Sequence, residues 1–442
     1  MVERLQSAFG GSRAALALAV VFAIGLGLRL DYAIRAPHEP VDDSRAYARI
    51  AASLHEGDGF TQGDDPRHRA LQPATNYTPG LPLLVAGVYE LRGEVDRAAA
   101  RTVLAILSAL AIPLTFLLGK RLGGTAAGLL AAVPIAIYPA LLDYTGMLMT
   151  EPVGTAVLAG LLLAFVRACE ASSPGRWALA GVLQGALAML RPECLLLVPL
   201  LALAAAWLRS RRAGRSWRAT AVPVALMAGC ACLVILPWTV RNLVVLDRLV
   251  PLSTGGGQLL YQGGYVPAGP DSEDITPTLL EEHPWIRREL GPLPGPIYRG
   301  QVVEELAARE YPGEDPDVAL RRMGRDQYFD NLTEQPLDLA AFVAGKVWLA
   351  WTGTVRTVME RPVWKAFHLS LMAFALIGLV LGLRRRSPEA VAIAVVVATA
   401  TLSQAVFIAS PRRVLLVLPA ASALGGLGVT WLAARAREAA RP

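Results

Sequence analysis

The stretch "VDDSRAYARIAASLHEGDGF", residues 41–60, follows directly on the first apolar run of the chain. It begins with two adjacent carboxylates, Asp42 and Asp43, and continues with apolar residues at about helical spacing. Such spacing predicts a helix with one apolar face over residues 44–55. We expect this helix to lie flat on a membrane, with its acidic start above the spans.

The composition of the chain indicates a membrane protein. Of 442 residues, 54% are hydrophobic, and the mean hydropathy is +0.43. These values exceed those of ordinary soluble domains. The net charge of +6 could indicate nucleic acid, but basic residues beside apolar spans usually set membrane orientation. We therefore expect a lipid bilayer as partner and no nucleic acid. The Arg- and Ala-rich composition is typical of a GC-rich bacterial genome.

A helix needs about 20 apolar residues to cross a bilayer. About ten runs qualify, at residues 14–34, 98–118, 124–142, 152–168, 176–190, 193–208, 219–237, 364–383, 389–409 and 413–434. A further apolar run, residues 339–358, would place the basic residues 384–386 outside if it crossed. We therefore predict that it is a helix that lies at the outer surface or inserts partially into the membrane. The predicted fold class is an all-α polytopic membrane protein with about ten transmembrane helices, or eleven if this run crosses.

The distribution of charge predicts the orientation. With both termini in the cytoplasm, the inner loops are short and basic, as the positive-inside rule expects. The chain then sits in the cytoplasmic membrane with two long segments outside. This topology divides the chain into an N-terminal membrane module with a first outer loop, a large outer loop that includes the surface helix, and C-terminal spans. Their residue ranges are 1–237 with the loop at 35–97, 238–363, and 364–442.

Three arginines break the charge rule, because they fall on short outer connections: Arg191, Arg412 and Arg413. One interpretation is a snorkelling arginine that pairs with Glu193 or a lipid headgroup. The other is an anion site at the outer surface, since arginine binds phosphate in a two-pronged geometry.

Acidic residues fall on the same predicted face: Asp42, Asp43, Asp143 and Glu151. Asp42, Asp43 and Glu151 could simply be acids at helix N-termini, where caps and the helix dipole favour them. A general base beside a phosphate-binding arginine, however, is the chemistry of group transfer from a phosphate leaving group. The shared face of acids and arginines is what favours a transferase.

Five stretches of the chain match a known sequence pattern. They are "DDSRAYARIAASLHEGDGF" (42–60), "NYTPGLPLLVAGVYELRG" (76–93), "LMTEPVGTAVLAG" (148–160), "LPWTVRNLVVLDRLVPLSTGGGQLLYQGG" (236–264) and "PRRVLLVLP" (411–419). They resemble the membrane glycosyltransferases of GT-C fold, in the group of protein O-mannosyltransferases and the aminoarabinose transferase of lipid A. The resemblance covers almost the whole chain and is weak over residues 265–360.

The resemblance implies an inverting transfer of a hexose or pentose from a polyprenyl-phosphate donor to a hydroxyl of a glycan, lipid or protein. By analogy, Asp43, which stands four residues before Tyr47, is the general base. Glu151 would orient Asp43, the acceptor or a metal. Arg412, with Arg413 and Arg191, would hold the lipid phosphate. Further candidates for the substrate pocket are Asp42, Tyr47, Tyr77, Asp143, Glu193 and Arg241.

Two departures from the family pattern bear on these roles. The late motif has "RR" where the family has arginine and then an aromatic residue, so either Arg412 or Arg413 could bind phosphate. Thr78 stands before Pro79 in place of the usual arginine. No cofactor follows from the sequence with certainty. Asp43 and Glu151 could share a divalent cation or a hydrogen-bond network.

Two other classes of protein fit parts of the pattern. A transporter or flippase for polyprenyl lipids would carry charges near the middle of its spans, and often inverted repeats. Here the marked charges lie at span ends, and no repeat is visible. A noncatalytic subunit could retain the same fold, but the presence of both Asp43 and Glu151 favours an enzyme.

Overall fold

A computed structural model describes residues 11–35, 42–62, 73–170, 173–210, 217–271, 274–291 and 299–441. Within these ranges the chain is helical, and the only β-contact is an isolated bridge between Thr61 and Pro73. Contacts divide the chain into two units. The first consists of Met1–Leu252, Thr354–Thr399 and Leu415–Pro442, and the second of Ser253–Gly353 and Ala400–Val414.

The helices follow one another along both units. The first unit begins with α1 (Ser12–Arg35), α2 (Asp42–Glu56), α3 (Gly80–Arg92), α4 (Arg97–Ala109), α5 (Ala111–Ile137), α6 (Pro139–Thr145), α7 (Thr150–Glu170), α8 (Pro174–Leu190), α9 (Leu197–Ser210) and α10 (Trp217–Leu246). The second unit holds α11 (Gly256–Gly263), α12 (Thr276–Glu282), α13 (Pro284–Leu290), α14 (Arg299–Glu310), α15 (Pro316–Glu334) and α16 (Pro336–Thr352). The chain ends with α17 (Thr357–Glu360), α18 (Pro362–Arg384), α19 (Pro388–Val406) and α20 (Pro411–Ala439).

Eight helical segments in the described part of the chain are long and apolar enough to cross a membrane. One of them, Arg97–Ile137, has 41 residues and would be about 60 Å long if straight, twice the thickness of the hydrocarbon core. α8, with 17 residues, is almost as long as a span. The predicted all-α, multi-pass architecture is confirmed.

The segment Arg97–Ile137 is folded back on itself at two glycines. Gly123 and Gly124 have non-helical backbone angles, with φ of −143° and 82°. A Cβ atom on Gly119 would lie 2.8 Å from the Cβ of Ala131, although residues twelve apart in a straight helix are about 18 Å apart. The two halves of α5 are therefore antiparallel, and small residues allow their close approach.

A buried arginine fixes the junction between α5 and α6. Arg29 of α1 donates to the carbonyl of Ile135 at 2.7 Å and of Ala136 at 3.3 Å, and to Oγ of Ser108 at 3.0 Å. The two carbonyls belong to the last turn of α5, where helical carbonyls lack intrahelical partners. A cation is also favoured at that end of a helix. Arg29 thus fixes the junction at which α6 begins, and α6 is the helix that contains Asp143.

The second unit is built around the pair α11 and α15. A Cβ on Gly257 would lie 2.0 Å from the carbonyl oxygen of Asp317, so only glycine permits this approach. The carboxylate of Asp317 also accepts from the backbone amides of Gly255 and Gly257, each at 2.8 Å. The helix start is therefore fixed by one acid of α15.

The predicted surface helix over 339–358 is shorter in the structure. α16 ends at Thr352, because Gly353 adopts an extended conformation against Pro411. A Cβ at Gly353 would lie 2.7 Å from the ring of Pro411. A separate short helix, α17, starts at Thr357. Whether α16 crosses the membrane stays a prediction, as do the three predicted domain boundaries.

The α5 hairpin can be tested by Gly124→Ala. The backbone of Gly124, with φ 82° and ψ −175°, lies in a region that only glycine adopts without strain. We expect the free energy of unfolding in detergent to fall by about 1–3 kcal/mol. Gly27→Ala, in α1, is the control, because a Cβ there meets nothing within 4 Å. Equal stability of the two variants would contradict the hairpin.

Candidate functional site

A buried ion pair lies at the start of α7. The side chain of Glu151 is 0% exposed, and its Oε1 lies 3.4 Å from Nη1 of Arg191. The same Nη1 donates to Oγ1 of Thr150 at 3.4 Å, and Nε of Arg191 donates to Glu193 at 3.0 Å. A buried charge without a partner is costly in a membrane protein. Glu151 and Arg191 therefore stabilise each other. The pairing of Arg191 with Glu193, one of the two interpretations of its sequence position, is present as well.

The end of α8 positions Arg191. The helix stops at Leu190, and Arg191 has an extended backbone with φ −142° and ψ 108°. Oγ1 of Thr78 donates to the carbonyl of Leu190 at 3.0 Å. A Cβ on Gly80 would lie 2.6 Å from the carbonyl oxygen of Met189. The "TPG" segment thus packs against the end of α8, which gives Thr78 a structural role.

Asp43 lies in the first turn of α2, and the helix itself is confirmed. One turn later, the ring of Tyr47 is buried and meets the ring of Tyr77 edge-on, with centroids 5.5 Å apart. Tyr47 belongs to an apolar cluster that includes Leu148, Val153 and Leu190, three residues that flank the Glu151–Arg191 pair in sequence. The cluster anchors the start of α2 in the neighbourhood of that pair. The side chain of Asp42 lies outside the described part of the structure.

Asp143 is held by a residue that sequence analysis missed. The carboxylate of Asp143 forms an ion pair with Nε of Arg356, whose guanidinium lies 5.8 Å from the ring of Tyr144. Arg356 has a φ of 72°, a conformation that is uncommon outside glycine. The sequence signal was weak, since Arg356 stands 213 positions away from Asp143.

Arg241, another pocket candidate, lies among aromatic rings. Its guanidinium is 5.5 Å from the ring centroid of Phe60 and 4.8 Å from that of Trp238, distances typical of cation–π contacts. Nε1 of Trp238 and Nδ2 of Asn242 both donate to the carbonyl of Leu252, at 2.7 and 2.9 Å. The "PWTVRN" stretch therefore ties the end of α10 to the segment that follows it.

In the second unit, Arg412 and Arg413 lie in the first turn of α20 and are half-buried. The preceding turn is fixed by Gln404, whose amide donates to the carbonyl of Ser410 and accepts from its N–H, each at 2.9 Å. Oγ of Ser410 accepts from the N–H of Arg412 at 3.3 Å. The dipole at a helix N-terminus favours anions. Two arginines at such a position form an arrangement suited to phosphate.

A buried lysine, also missed from the sequence, supports the end of α19 in the second unit. Nζ of Lys346 donates to the carbonyls of Gly263 at 2.5 Å and Ala405 at 3.0 Å. Oη of Tyr328 donates to the carbonyls of Gly263 at 2.8 Å and Val406 at 2.5 Å. These bonds satisfy carbonyls at the helix end. The signal in the sequence was a lone lysine within the apolar run 339–358.

Among the described residues, no group of three or more His, Cys, Asp or Glu side chains is placed to hold a metal ion. Glu151, one of the two predicted ligands, is already engaged by Arg191 and Thr150. Divalent cations such as Mg²⁺ and Ca²⁺ need several oxygen ligands. The donors described here do not fit such a site, and a cation between Asp43 and Glu151 stays a prediction.

The buried pair can be tested by Arg191→Met. The variant leaves Glu151 buried without its cation, and we expect the free energy of unfolding in detergent to fall by about 3–5 kcal/mol. Adding Glu151→Gln should restore part of this loss, because the unpaired charge is removed. Arg92→Met is the control, since the Arg92–Asp96 pair is exposed and worth at most about 1 kcal/mol. Similar losses of unfolding free energy for Arg191→Met and Arg92→Met would contradict a large contribution of the Glu151–Arg191 pair to stability.

A family model described as dolichyl-phosphate-mannose-protein mannosyltransferase matches residues 76–240, which include Glu151 and Arg191. No curated protein sequence matches the chain significantly.

Solved structures of similar fold include the archaeal oligosaccharyltransferase AglB from Archaeoglobus fulgidus, in complex with an inhibitory peptide and a dolichol-phosphate. Its TM-score is 0.54 at 18% identity, over 96% of this chain and 52% of AglB. An Archaeoglobus fulgidus oligosaccharyltransferase tethered to an acceptor peptide has a TM-score of 0.53 at 15% identity, over 95% and 50% of the two chains. The chain thus spans about half the length of these enzymes. The predicted resemblance to GT-C glycosyltransferases and the predicted GT-C fold are confirmed.

Proposed function

We propose that this chain is an inverting glycosyltransferase that moves a sugar from a polyprenyl-phosphate donor to an acceptor hydroxyl. The observation that carries the proposal is the buried Glu151–Arg191 pair beside the cluster that anchors Asp43. It occurs in a chain matched by a dolichyl-phosphate-mannose-dependent family model and similar in fold to an enzyme with bound dolichol-phosphate. A carboxylate near a rigid charged network is suited to proton transfer during group transfer.

In the proposed step, Asp43 accepts the proton of the acceptor hydroxyl. The acceptor oxygen then attacks the anomeric carbon of the sugar from the side opposite the phosphate. The bond between that carbon and the phosphate oxygen breaks, and its electron pair leaves with polyprenyl phosphate, so the anomeric configuration inverts. Asp43 suits this role because it is only half-buried, while the helix that carries it is anchored through Tyr47.

Glu151 is proposed to act by positioning. Its side chain has no exposed surface and is bonded to Arg191 and Thr150, so direct contact with a substrate from solvent is disfavoured. A rigid charged group beneath the site can orient Asp43 or the acceptor without reorganising during the reaction. Mutation of Glu151 should therefore lower the turnover rate because Asp43 or the acceptor is no longer held in its productive orientation.

The phosphate of the donor is proposed to bind Arg412 or Arg413. Both lie in the first turn of α20, where the helix N-terminus adds to their positive charge. A guanidinium can bind two phosphate oxygens and stabilise the charge that develops on the leaving group. Arg191 already binds two carboxylates, which makes it a weaker candidate for the same role.

The basic loops favour a cytoplasmic membrane location with both termini inside and the site on the outer face. The proposal covers a hexose or a pentose as the transferred sugar. It covers a glycan, a lipid or a protein as the acceptor. A polyprenyl-lipid transporter is the competing function. The half-buried charges at helix ends favour transfer over transport.

The base assignment is tested by Asp43→Asn with labelled polyprenyl-phosphate sugar and acceptors from cell membranes. The amide cannot accept the proton, so we expect the transfer rate to fall by about 10²–10⁴-fold with an unchanged unfolding temperature. Asp42→Asn is the matched control and should retain activity. Full activity of Asp43→Asn, or loss only in Asp42→Asn, would contradict the assignment.

The phosphate site is tested by Arg412→Ala and Arg413→Ala. Loss of one charge-assisted contact should weaken polyprenyl-phosphate binding by about 10- to 100-fold in at least one variant. The affinity would be measured by titration of the purified protein. Arg437→Ala, at the other end of α20, should bind as the wild type does. If both variants bind normally, the phosphate is held elsewhere, with Arg191 the next candidate.

A further inference from the structure

An apolar groove runs along the first unit between α5, α7 and α8. Its volume is about 470 Å³, within the range of about 300–1,000 Å³ typical of small-molecule sites. Gly160, Leu114 and Leu183 are among the residues that line it. The groove contains no residue of the proposed catalytic site.

The missing side chain of Gly160 keeps the groove open. A Cβ there would lie 3.7 Å from Leu183 and 3.9 Å from Leu114, which is ordinary van der Waals contact. By comparison, a Cβ on Gly154, in the same helix, would lie 2.7 Å from Leu416. The end of the Leu416 side chain thus fills the space beside Gly154, whereas Gly160 leaves space that an apolar chain can fill.

Two arginines form one end of the groove. Arg167, in the last turns of α7, and Arg176, in the first turn of α8, both line it and are both exposed. Nη1 of Arg176 donates to the backbone carbonyl of Arg167 at 3.5 Å, which holds the two residues side by side. The nearby acid Glu170 pairs with Arg121. Within the described chain, neither Arg167 nor Arg176 forms an ion pair with a carboxylate.

This end of the groove is far from Glu151 along α7. Arg167 lies sixteen residues after Glu151, which corresponds to about 24 Å along the helix axis. Under the predicted orientation, the two arginines belong to the cytoplasmic, basic side of the protein, where anionic lipids attract Lys and Arg. The distance separates the two arginines from the buried Glu151–Arg191 pair at the other end of α7.

We propose that the groove binds one glycerophospholipid with an anionic headgroup. Its phosphate lies between Arg167 and Arg176, since guanidinium groups match phosphate geometry. One acyl chain runs between Leu114 and Leu183 over Gly160, which is seven residues, or about 10 Å, from Arg167. The charge at one end and the apolar walls beyond it match the two parts of such a lipid.

The test is native mass spectrometry of the purified full-length protein with phosphatidylglycerol or phosphatidylcholine of identical acyl chains. We expect one phosphatidylglycerol to bind roughly 30-fold more tightly than phosphatidylcholine, an effect of two basic residues. The double variant Arg167→Gln/Arg176→Gln should abolish this preference. The control Arg384→Gln/Arg385→Gln removes the same charge from exposed residues at the end of α18 and should retain it.

The apolar part of the groove is tested separately. Gly160→Leu should fill the groove and weaken the binding of both phospholipids. Gly160→Ala should bind them as the wild type does. Equal affinity for the two phospholipids, or an undiminished preference in the Arg167/Arg176 variant, would overturn the proposal. So would displacement of phosphatidylglycerol by polyprenyl phosphate at lower concentration, because the groove would then serve the donor lipid.

Discussion

Charges that are buried in a membrane protein must be paired, and the structure satisfies this constraint at Glu151 and Arg191. The pair joins the start of α7 to the end of α8, where Thr78 and Gly80 bring the start of α3 into contact. The apolar cluster of Tyr47 then anchors α2 to the same region. The candidate base Asp43 is thus supported by a framework whose geometry depends on one ion pair.

The same constraint recurs in the rest of the first unit. Arg29 binds carbonyls at the end of α5, and Arg356 binds Asp143 at the end of α6. In the second unit, Lys346 binds carbonyls beside the turn that leads to Arg412. Arg29 and Lys346 satisfy carbonyls at helix ends, which would otherwise lack partners, and Arg356 pairs with a carboxylate. The acids and arginines of the candidate site therefore lie at helix ends that such contacts fix in place.

The spans and the acids at their ends could be predicted because hydropathy and helical spacing are local properties of the sequence. Helix α2 and the membrane class followed from them, and the resemblance predicted the GT-C fold. The partners of Arg191, Asp143 and Lys346 could not be predicted in full. Glu193 is two residues from Arg191, but Arg356 is 213 residues from Asp143, and no local pattern encodes such contacts. The end of α16 at Thr352 was missed because it depends on Pro411, distant in sequence.

The central claim is that this chain transfers a sugar and does not merely carry its lipid. The most direct measurement uses the purified protein in liposomes, with a donor labelled in both its sugar and its polyprenyl phosphate, and acceptors from cell membranes. Transfer predicts labelled sugar in the acceptor and free polyprenyl phosphate in equal amounts, with an inverted anomeric configuration by nuclear magnetic resonance. Intact donor crossing the bilayer without release of polyprenyl phosphate would contradict the claim and identify a transporter.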